Sequence, residues 1–342
     1  MKIANFDTDE KVFIIAELSA NHSGSLQTAL ETIKAAKRAG ADAIKLQTYT
    51  PDSLTLDSRG EDFMIKGGLW DGANLYELYK QALTPREWHE QLFAAARDEG
   101  LVCFSSPFCN GDADFLEKFN PPAYKIASFE VTDYDFVRYV ALKGKPIIIS
   151  TGIATEQEIA DIVQICKDAG NEQIALLKCT SSYPAPLDGM NLRTIADMKR
   201  KFGVEVGFSD HTLGIVAPVV AVSLGARIVE KHFILDKSVR SVDEAFSLDE
   251  REFGEMVKAV RDTEALLGKV NYELDDKAVQ NRRFSRSLYA CADIKEGEIF
   301  SEKNVKSVRP GYGLHPKFLP ELLGKKAKRE IKFSERITKE DI

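Results

Sequence analysis

Short runs rich in Val, Ile and Leu recur along the chain, and each is followed by a helix-like stretch. That alternation is expected of a parallel sheet covered by helices. Eight such runs occur, at 12–16, 43–46, 101–104, 123–126, 146–149, 174–177, 205–208 and 227–229. Eight units ending near residue 268 suit the strand count and length of an α/β fold closed into a TIM (β/α)8 barrel. Helix punctuation agrees with this register. Thr84-Pro85-Arg86-Glu87 and Thr155-Glu156-Gln157-Glu158 read as capping boxes, the first with proline at its first helical position. Gly40, Gly100, Gly170 and Gly225 fall where helices should stop.

The pattern breaks twice. An insertion at about 48–83 interrupts the second unit, and its Gly67-Gly68-Leu69-Trp70-Asp71-Gly72 stretch reads as a loop carrying an aromatic. After Lys269 the periodicity gives way to polar residues, including Asp275-Asp276-Lys277 and Asn281-Arg282-Arg283. The expected organisation is a barrel over 1–268, a linker over 269–285, and a small second domain over 286–342 built from short strands and turns. A segment that short has little core of its own.

Composition narrows the function. The 342 residues carry a formal net charge of −7, which disfavours nucleic acid or an anionic membrane as partner. An anionic substrate must therefore be held by a local basic site. The five cysteines, 103, 109, 166, 179 and 291, form no C-x-x-C pair and point to neither a disulfide framework nor a thiolate metal site. With no run of membrane-spanning length and no signal-peptide h-region, the expected compartment is the cytoplasm.

In this fold active sites sit at the carboxyl ends of the strands, and the residues there are polar at nearly every strand. They are Glu17 with Asn21 and His22, Lys45 and Gln47, Ser105 and Ser106, and Lys125 with Ser128 and Glu130. Ser150 and Thr151, Lys178 with Thr180 and Tyr183, Ser209 with Asp210 and His211, and Glu230, Lys231 and His232 complete the ring. His211 and His232 close neighbouring strands, so both imidazoles can reach one divalent ion, and this donor set does not choose among Mn, Fe, Co and Zn. Lys45 and Lys125 end apolar strands, where an ammonium needs an anion or a carboxylate. With Ser128, Ser150 and Ser209 they form a phosphate and carboxylate cradle. The competing partners are Glu17 and Glu130, which are expected to stay ionised and to serve as general base or acid. Trp70, Phe129 and Tyr183 offer apolar walls for a sugar face. A Schiff base on Lys125 or Lys231 is the competing chemistry.

Six stretches carry a close resemblance to the sialic acid synthase family, and it covers essentially the whole chain. They are Ile14 to His22, Ala43 to Thr48, Tyr124 to Ser128, Ser150-Thr151-Gly152, Ser209-Asp210-His211-Thr212 and Glu230-Lys231-His232-Phe233. The resemblance implies a barrel followed by an antifreeze-like (SAF) domain. It also implies a homodimer in which each SAF domain covers the partner's active site. His211 and His232 then resemble the ligands of a divalent metal, Mn2+ foremost with Mg2+ or Co2+ as alternatives. Lys45, Gln47, Lys125, Ser128, Ser150 and Ser209 resemble phosphoenolpyruvate contacts, joined by Ser106. Glu17, Tyr183 and Asp243 would face an amino sugar, Arg309 would reach its acetamido end from the neighbouring chain, and Glu130 would activate water.

The sequence departs from the N-acetylneuraminate branch at Phe129, where that branch has a glycine. The segment 236–243 also lacks that branch's arginine-proline-glycine-proline run. A bulkier, more apolar lining suits a 2,4-diacetamido-2,4,6-trideoxy-altrose. The legionaminate and N-acetylneuraminate branches share the same chemistry and are the alternatives.

Overall fold

The computed structural model describes residues 1–342. Eight parallel strands close into a barrel in chain order: β1 Phe13–Glu17, β2 Ala43–Thr48, β3 Val102–Pro107, β4 Tyr124–Ile126, β5 Ile147–Ser150, β6 Ile174–Cys179, β7 Glu205–Asp210 and β8 Ile228–His232. Each is followed by a helix: α1 Leu26–Arg38, α2 His89–Asp98, α3 Asn110–Glu117, α4 Tyr134–Ala141, α5 Glu156–Asp168, α6 Thr194–Phe202, α7 Val216–Ser223 and α8 Glu250–Leu267.

Strand side chains alternate between two apolar layers. Phe13, Ile15, Ala43, Phe104, Ile148, Ala175, Leu177 and Ile228 fill the barrel interior. Ile14, Ile44, Ile126, Ile149, Leu176, Val206 and Val229 pack outward with the helices. Gly207 is needed in this filling, since a Cβ there would lie 2.5 Å from the Ile228 carbonyl oxygen and 2.6 Å from Leu177. The same parity fixes the chemistry above. His232 is paired in register with Glu17, and Glu17 with Lys45, so three polar side chains share one inward layer. Glu230 is likewise level with Ser209, and Ser209 with Cys179.

The box at Thr155 forms as expected, its hydroxyl accepting from Glu158 N while the Glu158 carboxylate accepts from Thr155 N. The one expected at Thr84 does not. The chain begins a 3-10 turn at Arg86–Trp88 with Pro85 at the cap, and the Thr84 hydroxyl lies 3.4 Å from His22 Nε2 instead. The insertion is more ordered than a loop. It holds helices Pro51–Leu54 and Leu75–Ala82, the second capped by Asn74, with the glycine-rich loop between them.

The chain divides into compact units Met1–Gly268 and Lys269–Ile342. In the second unit the expected linker is partly helical. Asp275 caps a helix over Asp276–Asn281, accepting from Ala278 N at 2.6 Å, so the acidic run starts an element. Beyond it, β9 Ser287–Ala290 pairs antiparallel with β10 Val305–Val308, and Leu288, Ile294, Phe300, Leu322, Ile331 and Ile337 are among the residues of a small core.

Candidate active site

Inside the mouth of the barrel, four charged side chains alternate in sign. Glu17 Oε2 lies 2.7 Å from Lys45 Nζ, Lys45 Nζ 3.7 Å from Glu230 Oε1, and Lys125 Nζ 2.9 Å from the same Glu230 oxygen. All four are at most 4% exposed. At that depth each charge persists only through its neighbours. Burial pushes the Lys125 ammonium down, more than Glu230 restores. Burial acts the same way on Lys45, but Glu17 and Glu230 outweigh it and the net shift is upward. Glu230 is held down at about 2, since Lys125 and Lys45 overcome the upward push of burial. Of the two carboxylates weighed as internal partners for the lysines, Glu17 pairs with Lys45, whereas Lys125 pairs with Glu230 and not with Glu130. Lys231 falls on the opposite parity, fully buried against Asp210 at 2.7 Å, which removes it as a Schiff-base nucleophile facing the barrel.

Hydroxyls and amides surround this chain of charges. Lys45 Nζ donates to Ser106 Oγ at 3.3 Å, Ser209 Oγ to Glu230 at 3.2 Å, and Gln47 Nε2 to Glu17 at 2.9 Å. Ser181 Oγ donates to Ser128 Oγ at 2.8 Å. The buried Ser150 Oγ has no partner at all, as a donor awaiting a ligand should. Gly152 lets the backbone pass close by, because a Cβ there would lie 2.3 Å from Ser181 Oγ and 2.6 Å from Ser128 Oγ.

His211 and His232 stand side by side, ring centroids 5.4 Å apart. Burial pulls His211 down to about 4 and His232 well below its ordinary value, so both rings are neutral, as ligation requires. The Nδ1 of His211 faces the Thr180 carbonyl oxygen at 3.2 Å. A carbonyl only accepts, so Nδ1 carries the proton and Nε2 keeps its lone pair. His232 Nδ1 is buried without a hydrogen-bond partner. This pair fits a divalent cation.

Above these groups lies a cavity of about 370 Å³, lined on the barrel side by Gln47, Ser128, Glu130, Tyr183, His232 and Asp243. Trp70, Phe129 and Phe246 close other parts of it. Trp70 stands 5.8 Å from the Tyr183 ring, and its indole N–H donates to the Val242 carbonyl at 3.3 Å. Neither carboxylate expected to stay ionised keeps the ordinary range: burial raises Glu17 against the pull of Lys45, and raises Glu130 to about 7 against its own backbone amide and Lys125.

A profile of the NeuB family matches residues 32–272, and one of the SAF domain matches 285–342. The protein named pseudaminic acid synthase from Campylobacter jejuni (strain 81-176) is 62% identical over 341 residues, covering 100% of this chain and 99% of the relative. The Helicobacter pylori protein of the same name is 47% identical, covering 96% and 97%. Among solved structures, the spore coat polysaccharide biosynthesis protein spsE of Bacillus subtilis superposes with a TM-score of 0.68 at 35% identity, covering 100% and 98%. The chain belongs to the NeuB family.

For this NeuB-family chain the structure brings Glu17, Lys45, Gln47, Ser106, Lys125, Ser128, Ser150, Ser209, His211 and His232 to one barrel mouth, with Glu130, Tyr183 and Asp243 on the cavity above. Arg309 follows β10 in the second unit, exposed. Two inward residues were given no role from sequence. Glu230 joins the two lysines, and Cys179 places its thiol 3.9 Å from His211 Nδ1. The strand parity that selects His232 also selects Glu230, two residues earlier.

Proposed function

We propose that the chain is a pseudaminic acid synthase, condensing phosphoenolpyruvate with 2,4-diacetamido-2,4,6-trideoxy-β-L-altropyranose and water to give pseudaminic acid and phosphate. The observation that carries this reading is the 62% identity, across both full lengths, to the Campylobacter protein of that name. The buried pair of ammonium groups, with the unpartnered Ser150 hydroxyl in the same barrel mouth, supports it, since that is what a phosphorylated carboxylate needs.

Lys45, Lys125, Gln47, Ser106, Ser128, Ser150 and Ser209 hold phosphoenolpyruvate, and the two ammonium groups stabilise the phosphate's charge without reorganising. Glu17, Tyr183 and Asp243 orient the open-chain sugar so that its aldehyde carbon meets the enol carbon. The new C–C bond leaves a cation at C2 of the former enol and an alkoxide at the former aldehyde oxygen. Of the two protons that the water added at C2 gives up, one makes this alkoxide a hydroxyl and the other leaves with the phosphate. Water adds at C2 and gives its first proton to Glu130. Cleavage of the C–O bond to the phosphate then releases phosphate and leaves the C2 ketone. His211 and His232 would hold the divalent ion, Mn2+ foremost with Mg2+ or Co2+ as alternatives, which supplies Lewis-acid polarisation of the aldehyde.

The family resemblance supports a domain-swapped homodimer in which Arg309 serves the neighbouring subunit's sugar site. Phosphoenolpyruvate is an intracellular metabolite, which supports a cytoplasmic enzyme; no helix is long and apolar enough to cross a membrane. The test is phosphate release from phosphoenolpyruvate with N-acetylmannosamine, the legionaminate precursor and the altrose sugar, each with Mn2+ and with excess chelator. Chelator-sensitive release with the altrose sugar alone is expected. Release with another sugar alone moves the enzyme to another branch.

A further inference from the structure

The cavity has a second side that the mechanism above does not use. Helix Leu75–Ala82 in the insertion turns Leu75, Leu78, Tyr79 and Ala82 toward it, the spacing of one helical face, and Leu54 adds to the same lining. Leu54, Leu75 and Leu78 are only half-buried. An apolar helix face fronting a void rather than a core stays incompletely covered until something apolar enters.

Two hydroxyls interrupt this lining. Tyr49, just beyond β2, is 3% exposed, and its ring meets Tyr79 edge-on at 6.0 Å and Phe108 at 5.3 Å. Neither phenol has a hydrogen bond to the protein, and both titrate above the ordinary tyrosine range, chiefly because they are buried. Both residues line the cavity, and both phenols keep their proton for donation. No lysine, arginine or histidine of the insertion lines this side, so it does not suit a phosphate or carboxylate. A hydroxyl-rich group would leave its own donors unpaired against leucine. An uncharged group with a carbonyl acceptor and an apolar end meets both requirements.

We propose that Tyr49 and Tyr79, with Leu54, Leu75 and Leu78, form a subsite for an N-acetyl group of the sugar, the hydroxyls donating to its carbonyl and the leucines packing its methyl. This rests on the diacetamido substrate proposed above. Asp243 acts on Tyr49 and Glu130 on Tyr79, so the phenols adjoin the sugar site already described. The leucine lining itself carries no charged or histidine side chain, and the 2-acetamido group adjoins the reacting carbon, so the subsite is assigned to the 4-acetamido group. Tyr49 and Tyr79 are then specificity residues supplied by the insertion.

The test compares Tyr49→Phe and Tyr79→Phe with the wild-type enzyme. Measurements are the KM and kcat for the diacetamido sugar, the KM for phosphoenolpyruvate, and inhibition by the same sugar bearing a hydroxyl in place of the 4-acetamido group. Each substitution removes one uniformly formed hydrogen bond, so the sugar's KM should rise about three- to tenfold with kcat unchanged. The KM for phosphoenolpyruvate and the analogue's inhibition constant should stay constant. Because neither hydroxyl bonds to protein, melting temperatures should not fall. An unchanged sugar KM overturns the proposal, as does an equal loss toward phosphoenolpyruvate or the analogue, or a fall in kcat instead. Failure of the wild-type enzyme to use the diacetamido sugar at all refutes the proposed function itself.

Discussion

Replacing Glu230 by Gln should destabilise the protein sharply, and deleting a second charge should restore part of the loss. The Glu230 carboxylate touches Lys125 Nζ at 2.9 Å and Lys45 Nζ at 3.7 Å, all nearly shielded from solvent. Coulomb's law at an effective dielectric of about 20 gives roughly 5 kcal/mol for each contact. Much of this is spent on keeping the ions out of water, so breaking the arrangement should cost about 3–5 kcal/mol. For a domain of this size that is a fall in Tm on the order of 10 °C. The variant leaves one ammonium in excess, because Glu17 can balance only one lysine. Adding Lys125→Met removes the excess and leaves the Glu17–Lys45 pair at 2.7 Å neutral. The double variant should therefore melt above the single one, a coupling that a double-mutant cycle isolates. Differential scanning calorimetry at neutral pH is the assay. A Glu230→Gln protein melting within a degree or two of wild type would refute the reasoning, as would losses that simply add.

Three further outcomes are expected. Because burial raises Glu130 to about 7, kcat should climb between about pH 6 and 8 as the carboxylate forms, and Glu130→Gln should abolish that limb while lowering kcat by about 10²–10⁴-fold; a pH profile that keeps the limb counts against its role. Phe129 stands on the cavity rim at 59% exposure, and Phe129→Gly should lower kcat/KM for the diacetamido sugar about tenfold relative to N-acetylmannosamine; unchanged relative rates contradict its part in selection. His22 and His89 are buried and lowered to about 4, so they contribute stability that is complete above their ordinary value of 6.5 and lost as pH falls from there to 4; a Tm that stays flat over that window argues against it.

The barrel was legible because its rule is periodic: eight apolar strands each followed by a helix leave few other folds. The site was legible in kind, as a ring of polar residues, but not in detail. Adjacent residues in that ring have opposite fates, with Glu230 facing the lysines inside and Lys231 buried outside against Asp210. Only the two-residue strand period separates them, and it becomes decisive once the register is known. Glu130 was misread because ammonium neighbours suggested an ionised carboxylate, while its burial depends on tertiary structure. The Thr84 box failed for a similar reason, its hydroxyl turning toward His22, distant in sequence. The insertion helix Leu75–Ala82 was missed because its apolar face serves a cavity instead of extending the core.

The most direct test of the central claim is the product itself. Purified enzyme, Mn2+, phosphoenolpyruvate and the diacetamido-trideoxy-altrose should yield one phosphate for each sugar consumed, with NMR showing a nine-carbon acid bearing the new C–C bond and both acetamido groups. Phosphate release without sugar consumption, or a nonulosonic acid formed only from N-acetylmannosamine or the legionaminate precursor, would contradict it.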